Sequence, residues 1–152
     1  MKSLLGVFVF LSTTSLFAQP SMECVKWAYE LYYKVMSSAD ANARATEACR
    51  DRVDVEVGKW MYDKYYTTMN TVDALDRATS KAKRSRGKLP IIQFAYEKYY
   101  MTSNMPDSVD RAADGAMSVR ASARECIERA YEFNYKTHNS RDSMDMAFKD
   151  CQ

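Results

Sequence analysis

One segment occurs four times in this chain, about 34 residues apart. Cys24-Val25-Lys26-Trp27-Ala28-Tyr29-Glu30 returns as Cys126-Ile127-Glu128-Arg129-Ala130-Tyr131-Glu132. Trp60-Met61-Tyr62-Asp63 and Phe94-Ala95-Tyr96-Glu97 are looser copies between them. A chain of this kind folds as copies of one small unit. A small unit cannot bury both of its faces, so its neighbours must stack on it.

Each copy opens with helical spacing. Val25, Ala28, Tyr29, Tyr32 and Met36 follow the i, i+3, i+4 rule, as do Met61, Tyr62, Tyr65 and Met69, and Ile92, Ala95, Tyr96 and Tyr99. The pattern predicts first helices over 22–36, 55–69, 90–103 and 123–138. Glu30–Lys34 and Glu132–Lys136 stand as acid-first i, i+4 pairs. A helix-start signal then recurs: Ser37-x-x-Asp40, Asn70-x-x-Asp73, Asn104-x-x-Asp107 and Asn139-x-x-Asp142. The Ser or Asn can accept from free backbone amides, and the Asp suits the positive end of a helix. Ala45, Ala78, Ala112 and Ala147 share one position in the second helices, where small side chains let two backbones approach. The expected fold is all-α. Four antiparallel hairpins, over about 22–50, 55–83, 89–117 and 123–152, stack as a short α-solenoid or compact bundle. The period is similar in length to that of the tetratricopeptide repeat. Tyr29, Tyr62, Tyr96 and Tyr131 stand where that family places a glycine, so no binding residues are carried over from it.

The first residues read as an address. Met1-Lys2 is a short positive end, Leu4 to Phe17 is largely apolar, and Ala18 suits cleavage. A secretory signal peptide over 1–18 is expected, leaving one domain over 19–152 in the periplasm or outside the cell. Four cysteines agree with an oxidising compartment. Cys24–Cys49 and Cys126–Cys151 are the pairs that each close one copy. Val57 and Ala82, then Ile91 and Ala116, occupy the same places in the middle copies. A metal site of four thiolates would lack close CxxC spacing.

The ends differ from the middle. Leu75, Val109 and Met144 align with Asn42 of the first copy, and Trp27, Trp60 and Phe94 with Arg129 of the last. The last copy also has Asn134 where the others have Tyr32, Tyr65 and Tyr99. Polarity rises where a neighbour is missing.

Little here resembles catalytic chemistry. His138 is the only histidine, without the Cys or Ser partner that a triad needs. Glu30, Asp63, Glu97 and Glu132 recur at one position but should face outward. Met144-x-Met146 near His138 is the one cluster that raises copper, and methionine as a core filler explains it. No cofactor or metal is expected, and no enzyme. The chain has 22 basic and 20 acidic residues, with Lys2 inside the leader, so bulk charge gives no reason to expect nucleic acid or an acidic membrane surface. The local exception is Lys81-Ala82-Lys83-Arg84-Ser85-Arg86-Gly87-Lys88, either a solvated loop or an anion-binding patch.

Tyrosine is the compositional signature. All eleven lie in the first helices, in columns headed by Tyr29, Tyr32 and Tyr33. The Tyr29 column is expected in the core. The Tyr33, Tyr66, Tyr100 and Tyr135 column and the Tyr32 column cannot both point straight inward. The rings either roof the core or line a groove for a protein, a peptide or a glycan. Arg44, Arg77 and Arg111 recur beside them and either pair with the acidic row, stack on Tyr, or hold a ligand carboxylate. The expected function is thus an exported, non-enzymatic binding or scaffold protein. The alternative is an effector or inhibitor of an envelope enzyme acting through the 81–88 loop.

Overall fold

The computed structural model describes residues 21–152, so the expected leader over 1–18 lies outside the described residues. The described chain is all helical, with α1 Met22–Tyr32, α2 Ser38–Ala48, α3 Val55–Tyr65, α4 Thr71–Lys81, α5 Leu89–Tyr100, α6 Met105–Met117, α7 Arg124–Asn134 and α8 Ser140–Asp150. One 3₁₀ turn, Ala121–Ala123, precedes α7.

The repeated helix-start signal works as expected. Ser37, Asn70, Asn104 and Asn139 each accept from the backbone N–H three residues on, at 3.3, 2.9, 3.0 and 2.9 Å. The Asp does not complete a capping box by reaching back to the backbone. It accepts instead from the side chain of the capping residue, at 2.6 to 3.0 Å. The first helices stop a turn earlier than periodicity implied. Tighter bonds, such as Val35 N–H to the Tyr32 carbonyl at 3.0 Å, close the chain into the turn.

Each hairpin packs its two helices together, and each first helix also lies against the second helix of the next hairpin. The result is a row of four hairpins, each resting on its neighbour. Ala45, Ala78, Ala112 and Ala147 are fully buried where the helices meet. Leu75, Val109 and Met144 are buried under the preceding copy, while Asn42, which has no preceding copy, is exposed. Two glycines mark close approaches. A Cβ on Gly58 would stand 3.2 Å from the Trp27 ring, and one on Gly115 would stand 2.2 Å from the Phe148 ring. The large ring of one hairpin is thus seated on bare backbone of its neighbour.

Both disulfides form within terminal hairpins, with Cα–Cα distances of 5.8 Å for Cys24–Cys49 and 5.9 Å for Cys126–Cys151. Each ties the start of a first helix to the end of a second. In the middle hairpins Val57, Ala82, Ile91 and Ala116 fill the same places, all buried. A terminal hairpin has one packing neighbour instead of two, and closing its loop stabilises it by roughly 3 kcal/mol in the chain-entropy view. Cys24 and Cys49 are fully buried, whereas Cys126 and Cys151 are partly exposed. Mild reductant is therefore expected to open Cys126–Cys151 first, and hydrogen exchange should rise in α7 and α8 while α4 and α5 stay protected. Simultaneous loss of protection along the whole row, followed by mass spectrometry, would sink this account.

Candidate functional site

The chemistry of the molecule is concentrated in the three tyrosine columns. The deepest is the one with a gap. Tyr32, Tyr65 and Tyr99 are almost fully buried, and each hydroxyl donates to a carboxylate of the next hairpin: Asp76, Asp110 at 2.5 Å and Asp145 at 2.5 Å. The same carboxylates take an arginine of the donor's own hairpin. Arg44 pairs with Asp76, Arg77 with Asp110, and Arg111 with Asp145 at 3.8 Å. The first two guanidinium groups also lie over the rings, 5.7 Å from the Tyr32 centroid and 5.3 Å from that of Tyr65. Each junction is thus a Tyr–Asp–Arg triad made by two neighbouring copies.

Of the alternatives raised for the arginines, stacking on Tyr holds for Arg44 and Arg77, and pairing with the acidic row does not. Their partners are not Glu30, Asp63, Glu97 and Glu132, which stand exposed on the first helices. They are acids of the second helices, Asp76, Asp110 and Asp145, which were not singled out from sequence. The signal was present. The first copy has Ala43 at this position, and the last copy has Asn134 and Met146 where the others have Tyr and Arg. Complementary losses at opposite ends mark groups that meet across a boundary. The Glu30–Lys34 and Glu132–Lys136 pairs do not close among the described residues. In the middle copies Lys64 and Lys98 lie over aromatic rings instead, Lys64 near Trp60 and Tyr96 and Lys98 near Phe94 and Tyr131.

Burial sets the electrostatics. It pushes the Tyr32, Tyr65 and Tyr99 hydroxyls well above the ordinary tyrosine value of 10.0, and the adjacent carboxylates push them further. Burial also pushes the Asp110 carboxyl up, but hydrogen bonds from Arg77 and Tyr65 outweigh it and hold the group below its ordinary 3.8. The Asp110 hydrogen bond raises Arg77, and the Asp76 hydrogen bond raises Arg44. These are groups locked in one ionisation state. They suit a structural clamp and not a proton carrier, whose pKa would sit near the working pH.

The other two columns form an aromatic ladder. Tyr29–Tyr33, Tyr62–Tyr66, Tyr96–Tyr100 and Tyr131–Tyr135 stack in pairs, with centroids 5.3 to 5.6 Å apart. Trp27, Trp60 and Phe94 then meet Tyr62, Tyr96 and Tyr131 of the next copy edge-on. The Tyr29 column is less deep than expected. Tyr62 and Tyr131 are buried, but Tyr29 and Tyr96 are half-buried, and the hydroxyls of Tyr29 and Tyr131 bond Ser38 and Ser140 at 3.0 and 2.9 Å. The outer column faces solvent: Tyr33, Tyr66, Tyr100 and Tyr135 are 56, 53, 55 and 47% exposed. Tyr66 borders a groove with Val35, Met69, Asn70, Thr71 and Val72. The arginines line different grooves, Arg44 between α2 and α4 and Arg111 between α6 and α8.

His138 Nδ1 lies 2.8 Å from the Thr137 hydroxyl and 3.3 Å from the Asn134 carbonyl oxygen. Met144 is fully buried in the core. No group of three or more His, Cys, Asp or Glu converges on a metal position among the described residues. No helix of the described residues is long and apolar enough to cross a membrane. Comparisons with family models, with curated proteins and with solved structures find no match to this chain.

Two expectations follow from the triads. Replacing Asp110 by Ala leaves the buried Tyr65 hydroxyl and Arg77 without an acceptor, and should lower unfolding free energy by about 2–3 kcal/mol in urea titrations. A loss within error of an exposed control such as Asp63→Ala would remove the clamp. The pH profile should fall on both sides. Asp110, depressed when folded, contributes above 3.8, and that contribution is lost as pH drops through its lower folded value. The tyrosines, raised when folded, contribute fully below 10.0 and lose that contribution as pH climbs through their higher folded values. An Asp110→Asn variant should flatten the acid limb of the urea midpoint.

Proposed function

We propose that this chain is an exported, non-enzymatic binding or scaffold protein that works in the periplasm or outside the cell. Its contact surface is the outer tyrosine column: Tyr33, Tyr66, Tyr100 and Tyr135. The leader-like stretch over 1–18 and the two disulfides support export into an oxidising compartment. One observation carries the binding reading. Four half-exposed rings stand at the same place in four successive copies, each held by a stacked neighbour. A tyrosine so held offers apolar area and a polar tip with little conformational freedom left to lose on contact. A repeated row of them suits an extended partner, a protein segment or peptide in the first place and a glycan strand in the second. Arg44, Arg77 and Arg111 serve this surface indirectly. Their side chains fix each hairpin to the next and so set the spacing of the rings.

The rival reading, an inhibitor of an envelope enzyme acting through the 81–88 loop, is weakened where that segment is engaged. Lys81 is the last residue of α4 and pairs with Asp114 at 2.6 Å, and Lys83 pairs with Asp51 at 2.7 Å.

The test is a double substitution, Tyr66→Ala with Tyr100→Ala. Affinity capture from the organism's own envelope and culture fluid should lose its specific partner. Circular dichroism and the number of closed disulfides should stay as in the parent protein. Collapse of the helical signal would place these rings in the core, and undiminished capture would move the contact surface elsewhere.

A further inference from the structure

The three loops that join successive hairpins come together at one edge of the row. The Val53–Lys83 bridge ties the first loop to the second, with Asp54 N–H donating to the Ala82 carbonyl at 3.2 Å. Gly87 of the second loop lies against Ala121 of the third, where an added Cβ would stand 3.6 Å from the alanine methyl. This gathers basic side chains that are far apart in sequence. Arg52, Lys83 and Arg84 line one cavity with Asp51, Ser80 and Met117. Arg86 and Lys88 follow in the second loop, and Arg120 stands in the third.

Three of the acids nearby are already engaged, while Glu56 and Glu125 stand exposed. Lys83 holds Asp51, Lys81 holds Asp114, and Asp54 accepts from the backbone N–H of Val57 and of Gly87. Among the described residues, Arg52, Arg84, Arg86, Lys88 and Arg120 make no ion pair, and all but Lys88 are exposed. Arg84 also sits at φ 62°, a left-handed turn that most side chains avoid. Meanwhile the opposite edge, where each hairpin turns, carries the four capping acids Asp40, Asp73, Asp107 and Asp142. A chain almost neutral in total is therefore charged unevenly between its two edges.

We propose that this basic edge docks on an anionic phospholipid surface. Guanidinium groups match phosphate oxygens two at a time. Clusters of four to eight cations on one face are what a phosphate-rich membrane surface attracts. The cations belong to loop tips at one edge of the row, so several can reach a flat surface together. Met117, 42% exposed in the same cavity, adds an apolar contact at headgroup depth. The docking leaves the tyrosine column clear, and it does not depend on that column binding anything.

The experiment is co-sedimentation of the disulfide-intact protein with vesicles. One set is phosphatidylcholine alone, and the other contains about a third phosphatidylglycerol. Binding is expected only to the second set, and it should weaken steeply as salt rises. Arg84→Gln, Arg86→Gln and Arg120→Gln together should weaken it about a hundredfold, roughly fivefold for each cation removed. Tyr66→Ala with Tyr100→Ala should leave it unchanged. Equal binding to both vesicle sets, or no binding at low salt, overturns the proposal. So does retention of poly-glutamate, but not vesicles, which would assign the edge to an acidic protein. If the triple variant fails to fold, the salt dependence of the parent protein still decides.

Discussion

The fold depends on a charged hydrogen-bond triad that no single repeat can make. A buried tyrosine hydroxyl and an arginine of one hairpin converge on an aspartate of the next. Removing a hydroxyl and a carboxylate from water is unfavourable unless both find partners. Here they do so only when two copies stand in correct register. A slip of the stack would strand the buried tyrosine hydroxyl and break the ion pair beside it. Hydrophobic contact supplies most of the attraction between hairpins, but it is tolerant of small shifts. The triads, together with rings seated over Gly58 and Gly115, are what select one arrangement.

The same interaction is missing from both outer faces of the row. Three junctions carry the full set of residues, and the two outer faces carry neither half: Ala43 at one, Asn134 and Met146 at the other. The terminal hairpins lack one neighbour each, and that is where the disulfides lie. Middle hairpins use buried Val57, Ala82, Ile91 and Ala116 at those positions. A covalent tie thus takes the place of missing packing, as is common where a unit's own core is too small to hold it.

Fixing the stack has a consequence for the surface. Inner rings bond the carboxylates, intermediate rings meet an aromatic ring of the preceding copy edge-on, and the outermost column is left standing in solvent on stacked supports. The basic edge arises from the same geometry, because stacking brings the inter-hairpin loops side by side. Neither surface belongs to one repeat. Both are properties of the row.

Much of this was legible in the residues. Four copies, eight helices, the capping residues, the alanine seams and both cysteine pairings follow from local rules: periodicity, a cap that needs only its own first turn, and a loop that closes within one copy. The depth of each tyrosine column was not legible. Tyr32 and Tyr33 are consecutive, and only the position of the neighbouring helix decides which is buried and which is exposed. The partners of Arg44, Arg77 and Arg111 left only an indirect trace, the complementary losses at the two ends, since the choice between Glu30 on its own hairpin and Asp76 on the next depends on the angle at which two hairpins meet. Sequence determined what each unit is, because those contacts lie within a few residues. Tertiary structure decided what the units do to one another, because charge pairing and burial between copies depend on distances that no local pattern contains.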